Sequence, residues 1–76
     1  MDKIAPIKLS TLIKILKHFG WRYDRTRGSH VSYVKAGAPR PIILVNDKEV
    51  SPWLIKQTIN NLGIAKEEYL KILDEI

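Results

Sequence analysis

The chain has 76 residues, which is enough for one domain with a small core and too few for two. It has no cysteine, which excludes a disulfide framework, a thiol nucleophile and a cysteine-based zinc site, and no apolar run is long enough to span a membrane. Residues 1–40 hold nine basic against two acidic groups, a net charge of +7, whereas residues 41–76 hold four against six, a net of −2. We therefore expect one soluble, cytoplasmic domain over residues 1–76 whose first half meets a polyanion, with a merely solvated basic surface as the alternative.

The first predicted element is an amphipathic helix that begins after Ser10, a residue type that caps helix N-termini. Gly20 stands where a helix commonly ends on a glycine with positive φ. Between them the apolar residues recur three and four positions apart, which predicts a core-facing stripe of Leu12, Ile15, Leu16 and Phe19. The opposite side is basic, and we interpret it as a solvated face formed by Lys14, Lys17 and His18.

A strand is predicted next, because residues 21–25 alternate large aromatic with charged side chains. This period of two is typical of a half-buried strand, and it predicts that Trp21 and Tyr23 face inward. Gly28 then allows the chain to reverse direction.

A second alternation runs from Ser29 to Lys35. It places Val31 and Tyr33 on one face of a strand, while His30 and Ser32 lie on the other. If the valine and the tyrosine enter the core, His30 points outward.

The third predicted strand, residues 42–45, follows a loop that contains two prolines and is apolar at every position. One of two pairs, Ile42 with Leu44 or Ile43 with Val45, must therefore lie on the sheet face opposite the core. Either a partner or a second copy of the chain covers that face, or the helices wrap far enough to bury both pairs. The sequence leaves both alternatives open.

Two helices complete the chain after a predicted loop over residues 46–49. Ser51 and Pro52 are a typical helix opening, with the serine as cap and the proline at the first helical position, and Gly63 ends this helix after the inward residues Ile55, Ile59 and Leu62. The last helix is acidic in its first turn and has an apolar stripe of Tyr69, Ile72, Leu73 and Ile76. The order α-β-β-β-α-α predicts a two-layer α+β domain, a three-stranded antiparallel sheet with the helices on one face.

Several segments together resemble the HicA (YcfA-like) toxin family. They are residues 16–21 (LKHFGW), 25–30 (RTRGSH), 62–64 (LGI) and 66–70 (KEEYL), so the resemblance extends over nearly the whole chain. It implies a fold similar to the double-stranded-RNA-binding domain. It also implies a cofactor-free, metal-independent endoribonuclease that cleaves messenger RNA as the toxin of a type II toxin–antitoxin pair, with a HicB-type antitoxin as its partner. By the same resemblance His30 matches the family's catalytic histidine, Gly28 and Ser29 match its turn, and Arg25 matches the basic position before that turn.

Two positions depart from the family pattern. Asn46 stands where many members have the histidine of a Pro-x-His segment after the third strand, so a second working histidine is not expected. Trp53, followed by Leu54, stands where members often have Gly-Thr at the start of the second helix. Because Trp53 lies off the inward stripe, we expect it either to pack on the last helix or to anchor a partner.

The residue types around Gly28 suit RNA chemistry in their own right. RNA carries its own nucleophile, the 2′-hydroxyl, so a small ribonuclease needs only to hold the phosphate and to move a proton. One positioned imidazole does this near neutral pH and contributes on the order of 10²- to 10⁴-fold. Arg25, Arg27 and Lys35 would balance the charge that develops on the phosphorus, and Ser29 would donate a hydrogen bond to a phosphate oxygen, as would the backbone N–H of Gly28 or Ser29. Two histidines on different elements without a cysteine supply too few ligands for a metal site.

Two other functions stay open from the sequence. One is a non-catalytic RNA-binding module that uses the basic half of the chain to follow a phosphate backbone. The other is a protein-interaction domain whose working surface is the apolar third strand, through which the chain would also associate with itself.

Overall fold

The computed structural model describes residues 4–76; Asp2 and Lys3, two of the charges counted in the basic half, lie outside this range. The elements in chain order are β1 (Ile7–Lys8), α1 (Leu9–His18), β2 (Arg22–Arg27), β3 (His30–Val34), β4 (Ile42–Val45), β5 (Glu49–Val50), α2 (Pro52–Leu62) and α3 (Lys66–Glu75). Strands β2, β3 and β4 form an antiparallel meander in that order, and β1 pairs antiparallel with β5 in a separate two-stranded sheet. The predicted α+β class with a three-stranded antiparallel sheet is confirmed. Within residues 4–76, none of the helices has the length and apolar character that a bilayer crossing requires.

The core lies between the helices and one face of the meander, which we call the inner face. Its strand residues are Val31, Tyr33, Ile42 and Leu44, and the helices add Leu12, Ile15, Leu16, Ile55, Ile59, Tyr69 and Ile72, all of them buried. On the other face, which we call the open face, Ile43 is 52% exposed and Val45 is 44% exposed. The helices therefore do not wrap far enough to bury both apolar pairs of β4.

The first helix begins one residue before the predicted cap, so the assignment of Ser10 as N-cap is wrong. Lys8 is the residue that precedes the helix, and its side chain makes no capping hydrogen bond. Lys8 is held extended because it pairs with Glu49, and the N–H of Leu9 donates to the carbonyl of Lys48 at 3.1 Å. The backbone carbonyl of the residue before β5 thus satisfies a helix N-terminal donor, where a serine hydroxyl is predicted to provide the capping interaction. At the other end Gly20 has the predicted positive φ, +89°.

The small β1–β5 sheet is not predicted by the sequence pattern. Glu49, predicted to lie in a loop, is paired with Lys8, and Val50 is paired with Ile7. Strands of two residues are too short to show a period of two, which explains why the pattern missed them.

The inward direction predicted for Trp21 and Tyr23 is confirmed, but only Trp21 is buried. Trp21 is buried, whereas Tyr23 is 51% exposed. Tyr23 lies directly opposite the buried Tyr33, so it is on the expected face, but β2 is the edge strand of the meander and all six of its residues are exposed. Its ring packs edge-on against Tyr33 with centroids 5.9 Å apart, and its hydroxyl hydrogen-bonds the hydroxyl of Thr26 at 2.8 Å.

The helix signals in the second half of the chain are confirmed. The Ser51 hydroxyl accepts a hydrogen bond from the N–H of Leu54 at 3.3 Å, Pro52 is the first helical residue and Gly63 ends α2 with φ +73°. Ile76, expected inward, is exposed because α3 ends at Glu75. Trp53 is 70% exposed, which is incompatible with close packing on α3 and leaves it available to a partner.

Candidate functional site

A two-residue turn joins β2 to β3 and sets the position of His30. Arg27 pairs with His30 across the hairpin, so Gly28 and Ser29 alone form the loop. Gly28 has φ +60°, and no residue other than glycine has a positive φ within residues 4–76. A positive φ at the first loop residue only is the pattern of a type II′ turn, which favours glycine there and matches the twist of the flanking strands. His30 is consequently the first residue of β3 and has an exposed side chain, as predicted.

A one-residue register shift in β2 determines where the arginines lie. Tyr23 is opposite Tyr33, but Arg25, and not Asp24, is opposite Ser32. Asp24 is thus the extra residue of a β-bulge. Strict alternation from Tyr23 would have put Arg25 and Arg27 on the inner face.

Because of the bulge, Arg25 and Arg27 share the open face with Ser32 and His30. Arg27 is opposite His30, and Arg25 is opposite Ser32. Residues directly opposite each other in an antiparallel pair have Cβ atoms about 4.5–5.5 Å apart, within reach for long side chains. On the other side of β3, His30 is opposite Val45 and Ser32 is opposite Ile43.

These side chains surround an open depression of about 350 Å³ on the open face. It is lined by Arg25, Arg27, His30, Ser32, Pro41 and Ile43. None of the six is acidic, so the lining is cationic with an apolar edge at β4. Ser32, Pro41 and Ile43 were not among the predicted site residues, although Ser32 has the same strand parity as His30.

One carboxylate competes with a phosphate for Arg25. Asp24 Oδ2 lies 3.3 Å from Arg25 Nε, and the pair is accessible to solvent, since the Arg25 side chain is 69% exposed and the Asp24 side chain 37%. Exposed ion pairs of this kind contribute about 0–1 kcal/mol, so an incoming phosphate can displace the aspartate at little cost.

Two of the predicted site residues form the turn, and one lies elsewhere. Gly28 and Ser29 adjoin His30 in sequence and space, and the Ser29 carbonyl accepts a hydrogen bond from the N–H of Asn46 at 2.6 Å. Lys35 follows the far end of β3, five residues from His30, which corresponds to about 16 Å of extended strand. It lies beside Gly20, where its Cε is 3.6 Å from the position a Cβ would take. The structure therefore does not bring Lys35 to the depression. That Lys35 contacts RNA stays a prediction, for a part of the RNA farther from the depression.

The position of Asn46 relates to the departure from the family pattern. Its backbone bond to Ser29 extends the β3–β4 ladder by one step, next to the pair formed by His30 and Val45. The residue that replaces the family's second histidine is thus adjacent to the turn, yet its side chain does not line the depression.

The other histidine, His18, lies apart from this site. His18 is on the exposed side of α1, as predicted, with its ring edge-on to Phe19. Within residues 4–76, no three side chains among His, Cys, Asp and Glu are grouped so as to hold a metal ion.

Tyr33 lies on the inner face, opposite Tyr23 and Ile42, and is buried. Burial raises the pKa of its hydroxyl, and the nearby Tyr23 raises that pKa further.

A family model described as the HicA toxin of bacterial toxin–antitoxin matches residues 10–64. The match contains β2, β3, β4, the turn at Gly28 and α2, and it ends before α3. The chain belongs to the HicA toxin family. The resemblance found in the sequence is confirmed, and membership makes this protein the toxin of a toxin–antitoxin pair, which implies an antitoxin as its partner. A search among curated proteins and a search among solved structures both found no match.

Proposed function

We propose that this HicA family member is a metal-independent endoribonuclease that cleaves messenger RNA in the cytoplasm, with His30 as its general acid or base. The observation that carries the proposal is the bulge at Asp24. It turns Arg25 and Arg27 onto the face of His30, so an exposed imidazole lies beside two cations in one depression. A proton-transfer group next to anion-binding groups is what phosphodiester cleavage requires.

In the proposed reaction the ribose 2′-oxygen attacks the adjacent phosphorus, and the bond from phosphorus to the 5′-oxygen breaks. The products are a 2′,3′-cyclic phosphate and a free 5′-hydroxyl. One proton leaves the 2′-hydroxyl and one is added to the departing 5′-oxygen. His30 performs one of these transfers and water performs the other, because His30 is the one imidazole among the lining residues and none of them is a carboxylate.

The arginines have a separate task in this proposal. Negative charge grows on the non-bridging oxygens as phosphorus becomes five-coordinate, and the guanidinium groups of Arg25 and Arg27 stabilise that charge. The Ser29 hydroxyl and the backbone N–H groups of the turn, at Gly28 and Ser29, are additional donors to the phosphate. Lys35 would contact the backbone farther along the RNA.

The second candidate is a non-catalytic RNA-binding module on the same fold. The observation that favours it is the presence of one acid–base group where many family members have two, since Asn46 replaces the second histidine. The same arginines would then hold RNA by its phosphates without cleaving it.

We further propose that a HicB-type antitoxin keeps the toxin inactive by covering the open face. The exposed Ile43 and Val45 lie beside the cationic depression, so a cover that buries them also excludes RNA. Self-association through the same two side chains is the alternative occupant of this face.

The test is cleavage of a 5′-labelled single-stranded RNA in the presence of EDTA by the unchanged protein, by His30→Ala and by His18→Ala. We expect the unchanged protein and His18→Ala to cut at equal rates and to leave 2′,3′-cyclic phosphate ends. His30→Ala should be slower by about 10²- to 10⁴-fold. Far-ultraviolet circular dichroism of the three proteins serves as the folding control, because both histidines are exposed.

The other possible outcomes of this test would each contradict part of the proposal. Unchanged cleavage by His30→Ala would eliminate His30 as the acid–base group. Tight RNA binding without products from the unchanged protein would favour the binding module. Loss of cleavage in EDTA would contradict the metal-independent mechanism.

A further inference from the structure

A second open depression lies beside the candidate site and shares two residues with it, Pro41 and Ile43. It has a volume of about 570 Å³ and lies between the loop that leads into β4 and the helix α2. Four polar side chains line it, and we call this region the amide groove: Arg40 from the loop, and Gln57, Asn60 and Asn61 from α2.

The three amides are placed together by helical spacing. Gln57 is three residues before Asn60 and four before Asn61, so all three project from one face of α2. The opposite face carries the buried Ile55 and Ile59, which pack in the core and fix the rotation of the helix.

The four polar side chains of the amide groove have no binding partner among residues 4–76. Gln57, Asn60, Asn61 and Arg40 are exposed, and within residues 4–76 their side chains have no hydrogen-bond or ion-pair partner. Their donors and acceptors are therefore available to a ligand.

The chemistry of the amides favours a nucleobase over a phosphate. An amide offers a donor and an acceptor side by side, which is the complement of a base edge, and it has no charge to attract a phosphate. Arg40, in contrast, is suited to a phosphate oxygen. One groove thus combines groups for a base with a group for its backbone.

We propose that the amide groove is a base-selecting subsite for a nucleotide next to the bond that is cut. This inference rests on the proposed function, since it takes the RNA at His30 to continue past Pro41 and Ile43 into the groove. A base reaches amide side chains in this way only when it is unstacked and unpaired, so the substrate is single-stranded RNA and not a duplex. An amide pair that meets a base edge with two hydrogen bonds discriminates between bases by about tenfold or more.

The first measurement is binding in the His30→Ala background, where cleavage is expected to be about 10²- to 10⁴-fold slower. Fluorescence anisotropy gives the dissociation constants for labelled homo-oligomers of A, C and U and for an RNA duplex. The test variant adds Gln57→Ala, Asn60→Ala and Asn61→Ala. The matched control adds Glu67→Ala and Lys71→Ala, which changes exposed residues of α3 without changing the net charge.

We expect the background protein and the control to prefer one homo-oligomer by about tenfold, and the amide variant to discriminate by less than about twofold. Arg40→Ala should weaken binding of all the single strands by a similar factor and leave their ratio unchanged. An unaltered ratio in the amide variant, no preference in the background protein, or stronger binding of the duplex would each overturn the subsite.

The second measurement separates this inference from the nuclease proposal. The ends of the products from a random-sequence RNA are sequenced after cleavage by the unchanged protein and by Gln57→Ala/Asn60→Ala/Asn61→Ala. We expect a base bias at one position beside the cut that the variant loses. Cleavage with the same bias in both proteins would overturn the subsite and leave the nuclease intact. Amide-dependent selectivity in binding without any cleavage would support the subsite and overturn the nuclease.

Discussion

The two faces of the meander are built from alternate residues of the same strands, yet one face is packed and the other is open. Val31 and Leu44 lie opposite each other and are buried, while their neighbours His30 and Val45 also lie opposite each other and are exposed. A slip of one residue would move the apolar set to solvent and the imidazole to the core. Packing on the inner face therefore holds the residues of the open face in place.

The largest difference between the faces should be seen in stability. Leu44→Ala removes a fully buried side chain and should lower the free energy of unfolding by about 2–5 kcal/mol. Ile43→Ala, one residue earlier on the open face, should cost less than about 1 kcal/mol. Urea unfolding followed by circular dichroism gives both values. Equal losses would show that β4 is packed on both sides.

The open face should dominate RNA affinity. In the His30→Ala background, Arg25→Ala and Arg27→Ala should each weaken single-stranded RNA binding by about tenfold and reduce the salt slope of log K by about 0.7 per lost phosphate contact. Lys71→Ala on the exposed side of α3 is the matched control. An effect of Lys71→Ala equal to that of the arginines would mean that net charge, and not the open face, attracts RNA.

A smaller effect is expected where the core holds a polar atom. The Tyr69 hydroxyl is buried and has no hydrogen-bond partner within residues 4–76, so Tyr69→Phe should stabilise the fold by about 1 kcal/mol. Burial raises the pKa of Tyr69, which means that the unfolded chain loses this proton first and that stability falls as the pH rises above about 10. Urea unfolding at neutral and alkaline pH should therefore show a smaller alkaline loss in Tyr69→Phe. The loss of stability that remains in Tyr69→Phe is expected from Tyr33, whose pKa is also raised by burial. An identical alkaline loss in both proteins would contradict the raised pKa of Tyr69.

The smallest effect should follow removal of the bulge itself. Deletion of Asp24 leaves Tyr23 opposite Tyr33 and Arg25 opposite Ser32, so both arginines stay on the open face in a regular ladder. RNA affinity should change by less than about twofold. Any change should be an increase in affinity, because the deletion also removes the carboxylate that pairs with Arg25. A loss as large as that of Arg25→Ala would show that the register assigned to β2 is wrong.

The sequence predicts those parts of the fold that local chemistry determines. The bounds of β4, the cap and proline of α2, the glycines that end α1 and α2, and the outward direction of His30 all follow from spacing or from one residue type. The sheet face on which Arg25 and Arg27 lie does not follow from spacing or residue type. The alternation in residues 21–25 breaks at Arg25, which is charged at the parity of Trp21 and Tyr23, but a bulge is a property of two paired strands and its position follows only from the register with β3.

Contacts between distant segments explain the other differences. The cap predicted at Ser10 is wrong because nothing local to it shows that Lys48 supplies an acceptor to Leu9. Tyr23 has the inward parity, but its burial depends on how far the helices extend over the edge strand. The spacing of Gln57, Asn60 and Asn61 was visible in the sequence, although its link to the site needed the loop before β4 in place.

The most direct test exchanges two neighbouring residues of β2 and keeps the composition and the net charge of +5. Arg25→Thr/Thr26→Arg moves one guanidinium from the open face to the position opposite Val31, at an exposed site that tolerates a long side chain. The quantity measured is the rate of cleavage of single-stranded RNA. The account predicts that the exchanged protein cleaves at least about tenfold more slowly than the unchanged protein. The single variant Thr26→Arg, which keeps Arg25, should cleave at nearly the unchanged rate. Cleavage by the exchanged protein at the unchanged rate would contradict the claim that the bulge brings the arginines to His30 for catalysis.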